Sequence, residues 1–399
     1  MSQKTSFFLG ANTPEGFVSF FDELYNPYKS CNAYIIKGGP GTGKSTLMKK
    51  IGNFLQDKGY DTSFIYCSSD ERSLDGLYVP ALNLSIADGT SPHLLEPKFP
   101  GVSENIINTG DFWNKAELKK HENEIKTLTV ENSLHHRRSS SYLAAAGKLN
   151  DENVRICRNF LREEKIHSFA VRFAARECGK NKKGEPGKKY KCFLSGITPS
   201  GCVFKDDTVN TLCTRVIGIE DEYSAVSNLL CEECAYQVLK RGYDVIFCHC
   251  PMRPRECEHI IIPELSLCLI TLKKAHPTTL KCDRIIHAKR FMTEGVENHK
   301  RRLTFNRKVM HELLLQSVTC LKTAKSVHDR LEKIYIDAMD FDALNDYAEK
   351  LKEEIMNYCM KDLAKYSLPA EIEFKKNLPK TLVGKVAYTE LLEEDEDEK

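Results

Sequence analysis

The segment Asn32-Ala33-Tyr34-Ile35-Ile36-Lys37-Gly38-Gly39-Pro40-Gly41-Thr42-Gly43-Lys44-Ser45-Thr46 sets a glycine-rich loop between two apolar elements. Its first six residues are a short apolar run rich in β-formers, which predicts a buried strand. Residues 38–45 fill every position of the pattern G-x-x-x-x-G-K-[S/T]. Leu47, Met48, Ile51, Phe54 and Leu55 then recur at helical spacing, so a helix is expected to follow at once. Phosphate binding needs this order. Glycines let successive N–H groups turn toward one point, and the helix N-terminus adds positive potential there. The nest is expected to be built by Gly38, Gly39, Pro40, Gly41, Thr42, Gly43 and Thr46. Lys44 would supply charge to the β- and γ-phosphates, and Ser45 would place its hydroxyl on magnesium. The expected ligand is a nucleoside triphosphate with Mg2+, ATP rather than GTP.

A hydrolysing site also needs a carboxylate near the metal. Leu82-Asn83-Leu84-Ser85-Ile86-Ala87 predicts a neighbouring strand, and it ends in Asp88. Asp88 is therefore the expected magnesium-side and catalytic carboxylate, alongside Lys44. Asp70 and Asp75 are rivals, because the loop from Cys67 to Gly76 follows a second strand, Thr62 to Tyr66, and should open on the same edge. His93 lies just past Asp88, within reach of a terminal phosphate.

The chain is internally repeated. Phe8-Leu9-Gly10-Ala11-Asn12-Thr13-Pro14-Glu15-Gly16 recurs as Phe193-Leu194-Ser195-Gly196-Ile197-Thr198-Pro199-Ser200-Gly201. Lys58-Gly59-Tyr60-Asp61 recurs as Arg241-Gly242-Tyr243-Asp244, a step of 183 residues from Gly59 to Gly242. Held without gaps, that step sets Cys250 over Cys67, Pro263 over Pro80, Leu265 over Leu82 and His276 over His93. It also sets Ser227 over Lys44 and Thr271 over Asp88, with Asp221 and Glu222 where the glycines stood. Two acids in a phosphate nest are electrostatically wrong. The second copy is expected to have lost its site, leaving one nucleotide per chain. His93 keeps its residue type across the copies, which favours a structural role for it.

Composition bounds the rest. A chain of 399 residues, 41% hydrophobic and 29% charged, is expected to be globular and large enough for two or three domains. Its net charge of +2 supplies no field to recruit nucleic acid, which argues against that partner. No run approaches the length of a membrane span, and the first residues lack a signal-peptide core, so a cytoplasmic location away from membranes is expected. Sixteen cysteines are then expected to be reduced and mostly buried. Cys231/Cys234, on an expected helix, and Cys248/Cys250, at an expected strand end, lack the paired knuckles of a zinc ribbon.

Residues 103–170 and 284–360 read as helical, the second through Leu313, Leu314, Val318, Leu321 and Ala324. Leu143-Ala144-Ala145-Ala146 and Leu321-Lys322-Thr323-Ala324 read as matching helices, either caps on the sheets or levers that report nucleotide state. The basic run Cys178 to Lys189 reads as a solvated loop, and Glu390 to Lys399 as an acidic tail. The expected organisation is an active P-loop NTPase unit at 1–102, a helical segment at 103–170, a degenerate P-loop-like unit at 171–283, a second helical segment at 284–365 and a C-terminal extension at 366–399. In fold class this is α/β, with two P-loop NTPase-like units, the second degenerate, and attached helical segments.

The opening Gly10 to Gly16, the loop Lys37 to Thr46, Cys67-Ser68-Ser69-Asp70, Asp88-Gly89-Thr90-Ser91-Pro92-His93 and Pro97-Lys98-Phe99-Pro100-Gly101 together resemble a bacterial family of uncharacterised, duplicated P-loop ATPase-like proteins. His259 to Leu265 and Ala324-Lys325-Ser326-Val327-His328-Asp329 resemble it as well. The resemblance covers most of the chain and implies an ATP site in the first half. Members often look able to bind nucleotide in the second half too, and this sequence departs there. The favoured expectation is a slow Mg-dependent ATPase used as a switch or motor. A small-molecule kinase and a nucleotide-binding regulator without turnover are the competitors. Any protein partner is expected on the degenerate unit or the helical segments.

Overall fold

The apolar run at residues 32–37 forms a central strand, as its composition requires, with Ile35 and Ile36 fully buried. The computed structural model describes residues 2–25, 28, 32–179, 185–274 and 278–362. His276, residues 180–184 of the basic run and the tail beyond 362 lie outside the described residues. The first half comprises β1 (Lys4–Phe7), β2 (Gly10–Thr13), β3 (Gly16–Ser19), β4 (Asn32–Lys37), α1 (Lys44–Asp57), β5 (Thr62–Tyr66), β6 (Leu74–Val79), β7 (Leu84–Asp88), β8 (Glu104–Asn108), α2 (Lys115–Lys120), α3 (Glu122–Arg158) and α4 (Glu163–Glu177). The second half repeats it: β9 (Lys189–Cys192), β10 (Ser195–Thr198), β11 (Gly201–Phe204), α5 (Asp206–Leu212), β12 (Arg215–Glu220), α6 (Ala225–Leu239), β13 (Val245–Cys250), β14 (Arg253–Ile262), β15 (Leu267–Leu272), β16 (Arg284–His287), α7 (Lys300–Asp337) and α8 (Phe341–Asp362).

The first sheet runs β1-β5-β6-β7-β4-β8, and the second, read from β9, runs β9-β13-β14-β15-β12-β16. The two orders correspond strand for strand. In each, one strand runs antiparallel to both its neighbours, β6 between β5 and β7 and β14 between β13 and β15, while the other pairs are parallel: β4 to β7 and β8, as β12 is to β15 and β16. The fold is thus α/β, two mixed sheets with helices packed on them in Rossmann-like units. Even an irregularity repeats, since Asn83 and Ser266, each before the same strand, both adopt left-handed backbone at φ 45° and 47°.

Residues 1–350 form one compact unit, and the end of α8 from Leu351 is described only as helix. Within the compact unit the two copies are interlocked. Phe8 and Phe193 exchange backbone hydrogen bonds of 3.0 and 2.8 Å. The long helices α3 and α7 pack along each other, with Ser139 and Ser317 hydroxyls 2.8 Å apart and the Asn306 amide donating to Asn153 at 2.9 Å. Helix α4, from the first copy, packs on α6 of the second, where Ile166, Phe169, Ala170 and Phe173 join the second sheet's core.

Three local expectations change. The segment 103–170 begins with a strand, β8, and the segment 284–360 begins with β16; both are short edge strands whose alternation is too brief to read. Residue 171 falls inside α4, because that helix continues to Glu177. The strand expected at 82–87 is Leu84–Asp88, preceded by a turn of 3-10 helix at Pro80–Leu82.

The gap-free register fails in the second glycine-loop position. Six residues, 38–43, separate β4 from α1, but only four, 221–224, separate β12 from α6. The N-cap of α1 is left-handed Gly43 (φ 79°), and that of α6 is left-handed Ser224 (φ 57°). Ala225, not Ser227, therefore stands in the place of Lys44. The lysine is still missing from the second loop.

Candidate functional site

The site is assembled at the C-terminal ends of β4 and β7, where Ile36 and Asp88 are register partners. The loop after β4 is held tightly. The Thr109 hydroxyl lies 3.1 Å from the Lys37 carbonyl and 2.9 Å from the Thr42 hydroxyl, which donates to the Gly39 carbonyl at 2.9 Å. A Cβ at Gly38 would lie 1.9 Å from the Thr109 oxygen, so only glycine fits there.

Lys44 opens α1. Its ammonium donates to the carbonyls of Gly38 (3.1 Å) and Gly39 (2.7 Å) and lies 3.6 Å from Asp88 Oδ2. Both side chains are largely shielded, at 11% and 13% exposure. Asp88 Oδ1 is fixed by the Thr90 backbone N–H (2.9 Å) and hydroxyl (2.6 Å). This leaves Oδ2 directed at the lysine. The Ser45 hydroxyl accepts from the Leu74 backbone N–H at 2.9 Å.

The rival acids have other partners. Asp70 accepts from the Arg72 N–H (3.1 Å) and the Ser73 hydroxyl (3.0 Å), and lies 3.3 Å from the Lys325 ammonium of α7. Partial burial pushes the Asp70 carboxyl up, but the Arg72 N–H, the Lys325 charge and the Ser73 hydroxyl outweigh it and hold it below the usual range. Asp75 pairs with His93 Nε2 at 2.9 Å. His93 sits between Phe17 and Phe21, with ring centroids at 5.2 and 4.3 Å. Lys44 and Asp88 are thus brought together; the Ser45 hydroxyl meets Leu74, beside Asp75, and Asp70, Asp75 and His93 face other groups.

Sequence reasoning missed what covers the loop. A Cβ at Gly39 would meet Tyr335 at 3.1 Å and Trp113 at 3.3 Å; one at Gly41 would lie 2.7 Å from the Glu332 carbonyl, and one at Gly43 would lie 2.7 Å from Leu344. The end of α7 and the start of α8, both from the second copy, therefore seat on the first copy's loop. The Lys50 ammonium donates to the Asn345 side chain at 2.5 Å. The lever reading of the second helical segment points toward this contact without naming its residues; Lys325, further back on α7, pairs with Asp70 instead.

Cys231 and Cys234 are buried in α6 with the second core, and burial pushes the Cys234 thiol well up. No helix among the described residues is long and apolar enough to cross a membrane.

A family model described as Nephrocystin 3, N-terminal, matches residues 19–82. The match is weak and local; it takes in β4, the glycine-rich loop, α1, β5 and β6, and stops short of Asp88. No curated protein and no solved structure matches the chain. None of these findings singles out the bacterial duplicated family that the motifs resemble.

Proposed function

We propose that this chain is a P-loop protein that binds ATP with magnesium at Gly38–Thr46 and hydrolyses it slowly, as a switch or motor. The observation that carries the reading is the meeting of Lys44 and Asp88 at 3.6 Å, across parallel neighbouring strands and at the start of a glycine-led helix. Lys44 would exchange its two loop carbonyls for β- and γ-phosphate oxygens. Ser45 and Asp88 would hold the metal, and bound magnesium supplies neutralisation of the phosphate charge. The residues fit the ligand because Gly38 tolerates no side chain and the loop's backbone closes around Lys44. The second copy has no lysine in its loop and supplies α7 and α8 instead, as a partner built into the same chain. The bacterial duplicated P-loop family remains the assignment we favour, on the motifs in both halves.

Single-turnover hydrolysis of Mg·ATP without any acceptor tests this. Asp88→Asn should bind ATP within a few-fold of the parent, since Lys44 and the backbone remain. Its turnover should fall about 100-fold or more, the scale of one lost preorganised electrostatic contact. Asp70→Asn and Asp75→Asn should turn over near the parent rate. Parent-rate turnover in Asp88→Asn with inactive Asp70→Asn or Asp75→Asn would move the carboxylate to the Cys67–Gly76 loop. No turnover in the parent would leave a regulator or an acceptor-dependent kinase.

A further inference from the structure

The shortened loop of the second copy contains its own anion. Asp221, the first residue after β12, turns its carboxylate back onto the N-terminus of α6. One oxygen accepts from the backbone N–H groups of Val226 and Ser227, both at 2.8 Å, and the other from Tyr223 at 3.3 Å. Val226 and Ser227 lie in the first turn of α6, the helix that corresponds to α1. In the first copy, no group among the described residues accepts from the corresponding amides of Ser45 and Thr46. An N-terminal helix turn presents unpaired donors and a positive dipole end, so it needs an acceptor from somewhere.

We propose that Asp221 is a built-in substitute for phosphate: its carboxylate fills the anion nest of the second copy, so that copy holds the ligand-bound form of its loop with nothing bound. Three further observations support this. The loop is two residues shorter than 38–43. Asp221, Val226 and Ser227 are all buried. The end of α3 closes the outside, with Val154, Ile156 and Cys157 clustered on Ala225. Burial pushes the Asp221 carboxyl above the usual carboxylate range, and the amides of Ser227, Val226 and Tyr223, with the Ser227 hydroxyl, pull against it. Glu222, the other acid of the loop, faces outward and lies 3.3 Å from Arg307. The second copy is then a fixed platform for α3 and α4, while the first copy is left free to change with its ligand. This inference does not depend on what the first copy binds.

Amide hydrogen exchange on the full chain tests it. In the parent without added ligand, the amides of Val226 and Ser227 should exchange at least 100-fold more slowly than those of Ser45 and Thr46. In Asp221→Ala that protection should collapse, and formate or acetate should restore it at least 10-fold where chloride of equal ionic strength does not. Asp221→Asn, which keeps one acceptor oxygen, should fall between. Equal exchange of the two loops in the parent would overturn the proposal. So would unchanged protection in Asp221→Ala or Asp221→Asn, or a loss that small carboxylates repair no better than chloride does. If Asp221→Ala does not fold, the parent comparison and Asp221→Asn still decide the matter.

Discussion

Lys44 donates to two carbonyls of its own loop, and Asp88 waits 3.6 Å away with one oxygen already fixed by Thr90. Both residues were legible in the sequence for local reasons. Lys44 and Ser45 lie at fixed offsets in a loop whose glycines have a backbone purpose, and Asp88 ends an apolar run. Their neighbours were not legible, because nothing near Asp75 in sequence names His93 as its partner, and nothing near Asp70 names Lys325. The same holds for His249, which reads as part of a Cys-His-Cys strand end and turns out to be buried among Phe20, Phe193 and Phe247. Burial there, helped by the charges of Lys189 and Lys191, holds its pKa down to about 4 from 6.5. The native histidine thus stays neutral between pH 6.5 and 4 while the unfolded chain takes up a proton. Stability present above pH 6.5 is lost as the pH falls toward 4, by about 3 kcal/mol in all. His249→Phe keeps the aromatic packing and should remove that part of the acid dependence. Urea denaturation of both proteins at pH 7 and pH 4.5 checks this; an equal loss in both would show that His249 does not titrate in this window.

Helix α7 is where local inference stopped. Its periodicity announced a helix but could not tell that its last turns seat on a loop almost 300 residues earlier in the chain. Likewise β8 and β16 were hidden inside segments read as helical, since an edge strand of four or five residues leaves little pattern. The contact of α7 with the loop can be measured. Gly41 has φ 68°, and a Cβ there would lie 2.7 Å from the Glu332 carbonyl; Gly59 has φ 90° with open space around it. Both alanine variants carry the left-handed strain of about 1–2 kcal/mol. Gly41→Ala must also push α7 away, so it should cost at least about 1 kcal/mol more than Gly59→Ala by chemical denaturation, in the range of overpacking. Equal costs would mean that α7 does not press on the loop.

Duplication organises the molecule. Two sheets of identical strand order, long helices paired along each other, and α4 and the start of α8 each seated on the opposite copy make one interlocked pseudo-dimer from one chain. The sequence showed the repeat through matched turns such as Gly59 and Gly242, whose positive φ both copies retain. It could not show the two-residue shortening before α6, because a gap-free step has no way to see a deletion offset by an insertion further on. That shortening leaves the second copy with Ala225 in the lysine position and its own carboxylate on the helix. The proposed site at Lys44 therefore takes one nucleotide per chain. Calorimetric titration of the full chain with Mg·ATP tests this most directly, with Lys44→Ala as the paired variant. The predicted result is one site in the parent and, in a folded Lys44→Ala protein, affinity weakened by at least 10-fold, in keeping with the ~1.5–3 kcal/mol or more of a charged hydrogen bond. A parent that binds no ATP, a stoichiometry of two, or near-parent affinity in Lys44→Ala would contradict it.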